Sequence, residues 1–299
     1  MILKILFSSL LACFVLSHSF CFSQEESSKP EKKKTRFQTG LYLGSNFANK
    51  HSASLYDGYG YDVDGNKNNF INSFMYRRIV LEYGSGQIDQ VAIALGVNPG
   101  EWKFDQTDMP FSMKYNPSFA AGVNLGYAVS KKDALFLNAN VARLNLSGNF
   151  TIVITTPPIG PQPPGYQNIK TFGITGTEQR TVLQLGYRRI LGDDDIFNFF
   201  VEAGPLFNMT QYLGNRATIN SLQIDLATYY SQSYYPTYRA KFLRGNSFGG
   251  FAGLGLNITA SANWTAQILY SPSFEKINIG EDPKPKLQHA AGLRVIYTL

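Results

Sequence analysis

The chain has little cysteine, histidine or charge. Only 2 of its 299 residues are Cys, 3 are His and 16% are charged. So few thiols exclude a small fold stapled by disulfides. After residue 23 there is no apolar run of about 18 residues, which argues against membrane-spanning helices. The chain is instead rich in Phe (22), Tyr (18) and Gly (27), and its 44% hydrophobic content argues against disorder.

The first 23 residues are typical of a secretory signal peptide. A basic start at Lys4 precedes an apolar stretch, and Cys21 and Ser23 place small side chains at positions −3 and −1 of a cleavage after Ser23. A membrane anchor and a lipoprotein-type cleavage at Cys13 are the alternatives. The polar stretch that follows, 24–35, has no apolar residue and is predicted to be a flexible periplasmic leader.

From residue 36 onward, apolar side chains alternate with small or polar ones. In 121–129 the odd positions are Ala, Val, Leu, Tyr and Val, and the even positions are Gly, Asn, Gly and Ala. A strand points successive side chains to opposite faces, so this period indicates β-structure. The pattern recurs at 183–188, 254–258 and 293–299. The first three of these four stretches run into short polar turns, whereas the opposite connections are long and irregular.

Short turns on one side, long loops on the other and aromatic residues beside the short turns are typical of a transmembrane β-barrel. Eight strands are predicted, near 36–47, 117–129, 134–155, 169–191, 196–213, 237–259, 264–279 and 287–299. Closure of the sheet would leave no unpaired edge in lipid. The predicted fold class is therefore all-β: an eight-stranded antiparallel transmembrane β-barrel in the bacterial cell outer membrane.

The alternation also assigns the two faces of the barrel. A lipid-facing aromatic girdle is predicted at Tyr127, Tyr187, Trp264 and Tyr297. Three charged residues on the opposite parity, Glu202, Arg188 and Arg294, should form a buried hydrogen-bonded network in the lumen. We expect this network to be a structural plug, with a proton or substrate path as the alternative. An eight-stranded barrel is filled by its side chains or holds at most a small ligand, which disfavours a passive porin.

The apolar parity changes along the predicted strand 134–155. Apolar residues occupy odd positions up to Val141 and even positions from Leu144. A β-bulge near Arg143 would insert one extra residue and produce this switch. The end of the membrane-spanning part would produce it as well.

Residues 49–116 are far longer than a hairpin loop. Short helices are predicted within 69–83 and 87–95, because apolar residues recur there at helical spacing. One face of the first helix would carry Phe70, Phe74 and Leu81. We predict a partly helical extracellular cap, and a further hairpin that makes ten strands is the alternative.

No enzymatic motif is evident. Residues 62–66 resemble the start of a calcium loop, but Lys67 replaces the sixth-position Gly and Ser73 the twelfth-position Glu. After signal removal only His51 and His289 remain, and neither has a nucleophile or acid at a known catalytic spacing. We therefore expect no catalytic residue, no cofactor-binding residue and no metal site, and we predict that the chain is not an enzyme.

Several segments resemble the PorT-type outer-membrane β-barrel proteins of Bacteroidota. They are the signal peptide, the Gly-Val-Asn-Leu-Gly-Tyr strand at 122–127, the turn-flanking aromatics and the terminal Gly-Leu-Arg-Val-Ile-Tyr-Thr-Leu. The resemblance covers 36–48 and 117–299. It implies an eight-stranded outer-membrane barrel, in a family in which some members serve secretion or surface assembly.

These observations lead to one set of expectations. The domains are a signal peptide at 1–23, the leader at 24–35 and a barrel at 36–299 that carries the cap at 49–116. The net charge of +6 has no nucleic-acid motif beside it, so the expected partners are outer-membrane lipid and other envelope or secretion-complex proteins. The expected role is a structural or interaction subunit of a secretion, assembly or surface complex. A narrow channel or transporter for a small solute is the alternative.

Overall fold

A computed structural model of the chain describes residues 36–61, 66–85, 88–157, 160–226, 244–277, 279 and 284–299. The predicted signal peptide, the leader and most of the calcium-like segment therefore lie outside the described residues. Within the described ranges, no helix combines the length and the apolar character that crossing a membrane requires.

Long antiparallel strands dominate the fold. In chain order the described strands are β1 (Phe37–Phe47), β2 (Trp102–Lys103), β3 (Lys114–Tyr115), β4 (Ser118–Ala128), β5 (Asp133–Ile154), β6 (Asn168–Leu191), β7 (Phe197–Ile219), β8 (Leu222–Asp225), β9 (Arg244–Thr259), β10 (Trp264–Lys276) and β11 (Pro285–Thr298). Eight of them pair in the closed ring β1-β4-β5-β6-β7-β9-β10-β11, because β11 pairs with β1 and β5 pairs with β6. The predicted eight-stranded antiparallel class is confirmed.

One of the predicted long connections begins as sheet instead. The strand predicted to end at residue 213 continues to Ile219 and forms a hairpin with β8. A bulge allows this extension: Glu178 pairs with Tyr212 while Thr177 pairs with Gly214, which leaves Leu213 without a partner in β6. The extra residue moves the lumen-facing side of β7 from even to odd positions.

The change of apolar parity near Arg143, in β5, is not produced by a bulge. β5 pairs with β6 without interruption from Asp133 to Ile154, so the bulge interpretation is wrong. Even-numbered residues of β5 face inward along the whole strand. Below Arg143 the outward residues are apolar, as at Leu137, and beyond it they are polar, as at Asn149. The switch thus marks where the outer surface of the barrel changes from apolar to polar.

Residues 49–116 add no strand to the described ring. They contain a 3-10 helix at Lys50–Tyr56, an α-helical turn at Phe74–Tyr76 that continues as a π-helix at Arg77–Glu82, an α-helix at Gln90–Leu95 and a 3-10 helix at Gln106–Asp108. Asp89 caps the α-helix by accepting from the Ala92 N–H, and Gly96 ends it in the left-handed region at φ 74°. The ten-strand alternative is therefore wrong for the described ring.

The cap packs onto the upper part of β5 to β8, the end farther from the short turns. Met75, Ile79 and Val91 are completely buried in one cluster with Phe150 and Ile174 of the barrel, and each stabilises the packed state by about 1.5–3 kcal/mol. The predicted helix face was only partly right. Phe70 and Phe74 pack against the core, but Leu81 is 52% exposed. A π-helix has a longer period than the α-helix assumed, which displaces Leu81 from the buried face.

Candidate functional site

The outer surface of the ring is apolar along its lower part. Five outward-facing leucines there are each more than half exposed: Leu41, Leu125, Leu185, Leu254 and Leu293. A water-soluble fold would cover a band of this kind, because monomers rarely expose large contiguous apolar patches. The ring leaves the band open on every side, as a barrel in lipid does.

The girdle residues lie where the alternation placed them, near the short turns. Tyr127 is 40%, Tyr187 43% and Trp264 50% exposed. The Trp264 and Tyr297 rings contact each other with centroids 4.9 Å apart, and the Tyr187 hydroxyl donates to Asp133. Aromatic rings with a polar edge suit the boundary between lipid and water.

The lower cluster is the network formed by Glu202, Arg188 and Arg294 inside the barrel. Arg188 Nε donates to Glu202 Oε2 at 3.1 Å. Arg294 Nη1 donates to Oε2 at 3.0 Å and its Nη2 to Oε1 at 3.2 Å, so this pair is bidentate. All three side chains are at most 3% exposed. The structure brings the predicted residues together from β6, β7 and β11.

Aromatic and amide groups surround the lower cluster. The Arg188 guanidinium lies 4.7 Å from the Phe136 ring centroid, and that of Arg294 lies 5.6 Å from it, both within cation–π range. Arg294 also donates to Gln267 Oε1 at 3.0 Å, and Gln267 donates to Asn257 Oδ1 at 2.9 Å. The surroundings hold the three charges in place, and the groups of the described residues that contact them here are neutral.

Aromatic rings fill the lumen above the lower cluster. Phe136 and Phe251 meet edge to face, with centroids 6.1 Å apart, over the backbone of Gly186. A Cβ at Gly186 would come within 2.9 Å of the Phe251 ring and closer still to that of Phe136. The Tyr42 ring covers Gly292 in the same way. These two inward glycines thus leave space for aromatic rings.

The upper cluster is a second buried ionic group, which the sequence reasoning missed. Arg180 Nε donates to Glu178 Oε1 at 2.7 Å, and Arg180 Nη1 donates to Gln288 Oε1 at 3.3 Å. Arg180 and Glu178 are 1% and 0% exposed. Buried Glu275 also lies in this part of the lumen, where it accepts from Asn208 and Ser273. The parity of Arg188 extends to Arg180 and Glu178, and that signal could have found them.

Tyrosines from the cap region complete the upper cluster. Tyr56 and Tyr115 donate their hydroxyls to Glu178 Oε2 at 2.9 and 3.1 Å. Burial, reinforced by the Glu178 carboxylate, raises the pKa of Tyr56 and the pKa of Tyr115, so both remain donors. Asn215 Nδ2 donates to the Tyr56 carbonyl at 3.1 Å. The cap is therefore bonded into the lumen and does not merely lie over it.

The remaining candidate residues do not form a site in the described part of the chain. His289 lies on the outer face of β11, with Nδ1 2.6 Å from the Tyr270 hydroxyl. His51 is exposed in the first helix of the cap. Lys67 makes an ion pair with Asp57 at 2.5 Å. Burial raises the pKa of the Asp57 carboxyl, and Lys67 partly offsets this.

Comparison with known proteins finds no matching family model and no matching curated protein. Among solved structures, Neisserial surface protein A is 7% identical, with a TM-score of 0.39, over 88% of this chain and 96% of that chain. OprG from Pseudomonas aeruginosa is 9% identical, with a TM-score of 0.37, over 89% and 98%. Ail of Yersinia pestis, crystallised with the heparin analogue sucrose octasulfate, is 9% identical, with a TM-score of 0.32, over 88% and 99%.

At these identities and TM-scores, no property of those proteins carries over to this chain. The closed ring of eight antiparallel strands and its exposed apolar band are features of the chain itself. Lipid-facing β-structure without open edges is the architecture of bacterial outer-membrane barrels. The chain is an outer-membrane β-barrel protein.

Proposed function

We propose that this outer-membrane barrel is a structural or interaction subunit of a secretion, assembly or surface complex, and that it is closed to solutes. The observation that carries the proposal is the filled lumen. The lower cluster, the Phe136–Phe251 layer, the upper cluster and the cap follow one another along the barrel. An eight-stranded barrel whose side chains meet across its interior has no room for an aqueous path.

The cap offers a surface for a partner. Five of its large apolar side chains are more than half exposed: Ile71, Leu81, Ile88, Ile93 and Phe111. Exposed apolar side chains on a polar segment favour protein contact, because burying them removes apolar area from water. The segments that resemble PorT-type proteins, some of which serve secretion or surface assembly, support the same role. The proposal assigns no catalytic residue to the chain.

The alternative is a narrow channel for a small solute, and the polar clusters are the observation that favours it. Arg180 and Arg188 both face the lumen from β6, eight residues apart, which is about 26 Å along a strand at roughly 3.3 Å per residue. A conducting path would have to pass Phe136 and Phe251 between them. The ring packing over Gly186 leaves no space for this without rearrangement.

Planar-bilayer conductance of the refolded full chain distinguishes the two functions. Wild type is expected to be silent. The variant Glu202→Ala tests the lower cluster, and the cap variant Glu101→Gln, at a partly exposed carboxylate that accepts from the Asn98 N–H, is its control. Steady single-channel current through the wild type, with an ion selectivity that Glu202→Ala alters, would overturn the proposal and make the channel the leading function.

Purification of intact complexes from envelopes tests the interaction role. Ile93→Asp and Phe111→Asp remove exposed apolar area from the cap without touching its buried core, since these side chains are 68% and 80% exposed. We expect co-purifying envelope proteins to be lost from both variants and kept by Glu101→Gln. If wild type and variants all purify alone, the interaction proposal is wrong.

A further inference from the structure

A cavity of about 160 Å³ lies at the short-turn end of the lumen, next to the lower cluster. Arg188, Asn257 and Gln267 line it on the side of that cluster, and Gln38 and Thr265 line it nearer the turn. Lys131, Lys132 and the carboxylate of Asp133, at the turn between β4 and β5, also lie at this cavity. Its lining is therefore mainly polar, with three cations and one carboxylate, although the band outside the same strands is apolar.

Two buried polar atoms in the lining have no hydrogen-bond partner among the described residues. They are Arg188 Nη2 and Gln38 Oε1. Arg188 is only 3% exposed, and its ion pair with Glu202 uses Nε alone. Buried polar atoms are nearly always paired, and an unpaired guanidinium N–H is among the more costly exceptions. The Arg188 guanidinium thus offers a hydrogen-bond donor, and Gln38 an acceptor, at the same cavity.

The charge balance shows what kind of group belongs there. The lower cluster contains the cations Arg188 and Arg294 and the single anion Glu202, so its net charge is +1. A trapped water would satisfy the free hydrogen bonds, but it would leave this buried charge uncompensated. A bound anion supplies both an acceptor for Arg188 and the missing negative charge.

We propose that this cavity binds a small phosphate-type oxyanion, held by Arg188 Nη2. A phosphate that keeps one proton also donates to Gln38 Oε1, which a carboxylate cannot do. Lys131 adds positive charge at the turn and favours the approach of an anion, whereas Lys132 is paired with Asp193 and Asp133 is paired with Arg189. The volume admits inorganic phosphate or the phosphate group of a small ester. The site is independent of the proposed closed-barrel role, because a filled lumen does not require a ligand.

Equilibrium dialysis with radiolabelled inorganic phosphate tests the site on the full chain in phosphate-free nanodiscs of neutral lipid. Saturable binding of one phosphate per chain is expected. Arg188→Gln should weaken binding at least tenfold. The matched control is Arg143→Gln, which removes the same charge from an exposed side chain on the outer face of β5, ten residues along the strand from Asp133 at the turn. Its binding should change less than twofold.

A second variant keeps the test decisive if Arg188→Gln does not fold. Lys131→Gln combined with Lys132→Gln changes turn residues outside the core and should weaken binding several-fold. Competition separates the sources: displacement by glycerol phosphate as well as by inorganic phosphate indicates an ester ligand, and displacement by inorganic phosphate alone indicates the free ion. No saturable binding by wild type, unchanged binding by Arg188→Gln, or equal competition by acetate would overturn the proposal.

Discussion

Tyr56 of the cap stacks on Tyr212 of β7, with ring centroids 5.1 Å apart and planes 10° from parallel. The same tyrosine donates its hydroxyl to Glu178 of β6. One side chain therefore joins the 49–116 insertion to two neighbouring barrel strands.

Replacing Tyr56 should loosen the cap in two graded steps. Tyr56→Phe keeps the stack but removes a hydrogen bond to a buried carboxylate, a loss of about 1–3 kcal/mol. Tyr56→Ala removes the ring as well and should cost about 3–5 kcal/mol. Hydrogen exchange of residues 66–85 measures the effect. The exposed Tyr166→Phe is the control. Wild-type protection in Tyr56→Ala would show that other contacts hold the cap.

Two glycines of β6 should respond in opposite ways to alanine. Gly186→Ala pushes a methyl group into the Phe136 and Phe251 rings and should destabilise the barrel by about 1–3 kcal/mol. Gly173→Ala meets nothing within 4 Å and should be neutral or stabilising by about 0.5–1 kcal/mol. Urea unfolding, followed by the gel mobility of the folded barrel, gives both values. Equal effects would contradict the packed aromatic layer.

Substitution by glutamine should lower the free energy of unfolding by different amounts at the buried residues Glu202 and Glu275, measured by the same urea unfolding. Glu202→Gln leaves Arg188 and Arg294 without their counter-charge, which should cost about 3–5 kcal/mol. Glu275 accepts from an amide and a hydroxyl, both neutral, so Glu275→Gln should cost only about 1 kcal/mol. A smaller loss for Glu202→Gln than for Glu275→Gln would show that the lower cluster does not stabilise the fold.

Arginine substitutions on the outer face of β5 locate the membrane boundary. Leu137→Arg puts a charge on the apolar band and should cost about 2–4 kcal/mol in a bilayer. Asn149→Arg lies beyond Arg143, where the outward residues are polar, and should be nearly neutral. Unfolding in lipid vesicles measures both. A similar cost at the two positions would mean that lipid covers the whole strand.

The residues of the lumen show how much of the site the alternation of side chains predicts. The parity of Arg188 and Glu202 places both inside, and the short turn between β6 and β7 makes them register partners. Arg294 joins them only because β11 closes the ring on β1. Glu178 and Arg180 continue the parity of Arg188, but alternation does not show that two tyrosines of the cap donate hydrogen bonds to Glu178. The helix face in the cap was harder to predict, because the π-helix at Arg77–Glu82 departs from the assumed period.

The sequence by itself determined the strand order, the apolar outer face of the barrel, the side of each strand that faces inward in the lower part of the barrel, and the presence of a long insertion. It could do so because a strand has a period of two and short turns join neighbours. The tertiary structure alone decided that the insertion is bonded into the lumen by Tyr56, that the bulge at Leu213 extends β7, and that Arg188 retains a free N–H beside a cavity. These features depend on contacts between residues distant in the chain, and local periodicity has no information about such contacts.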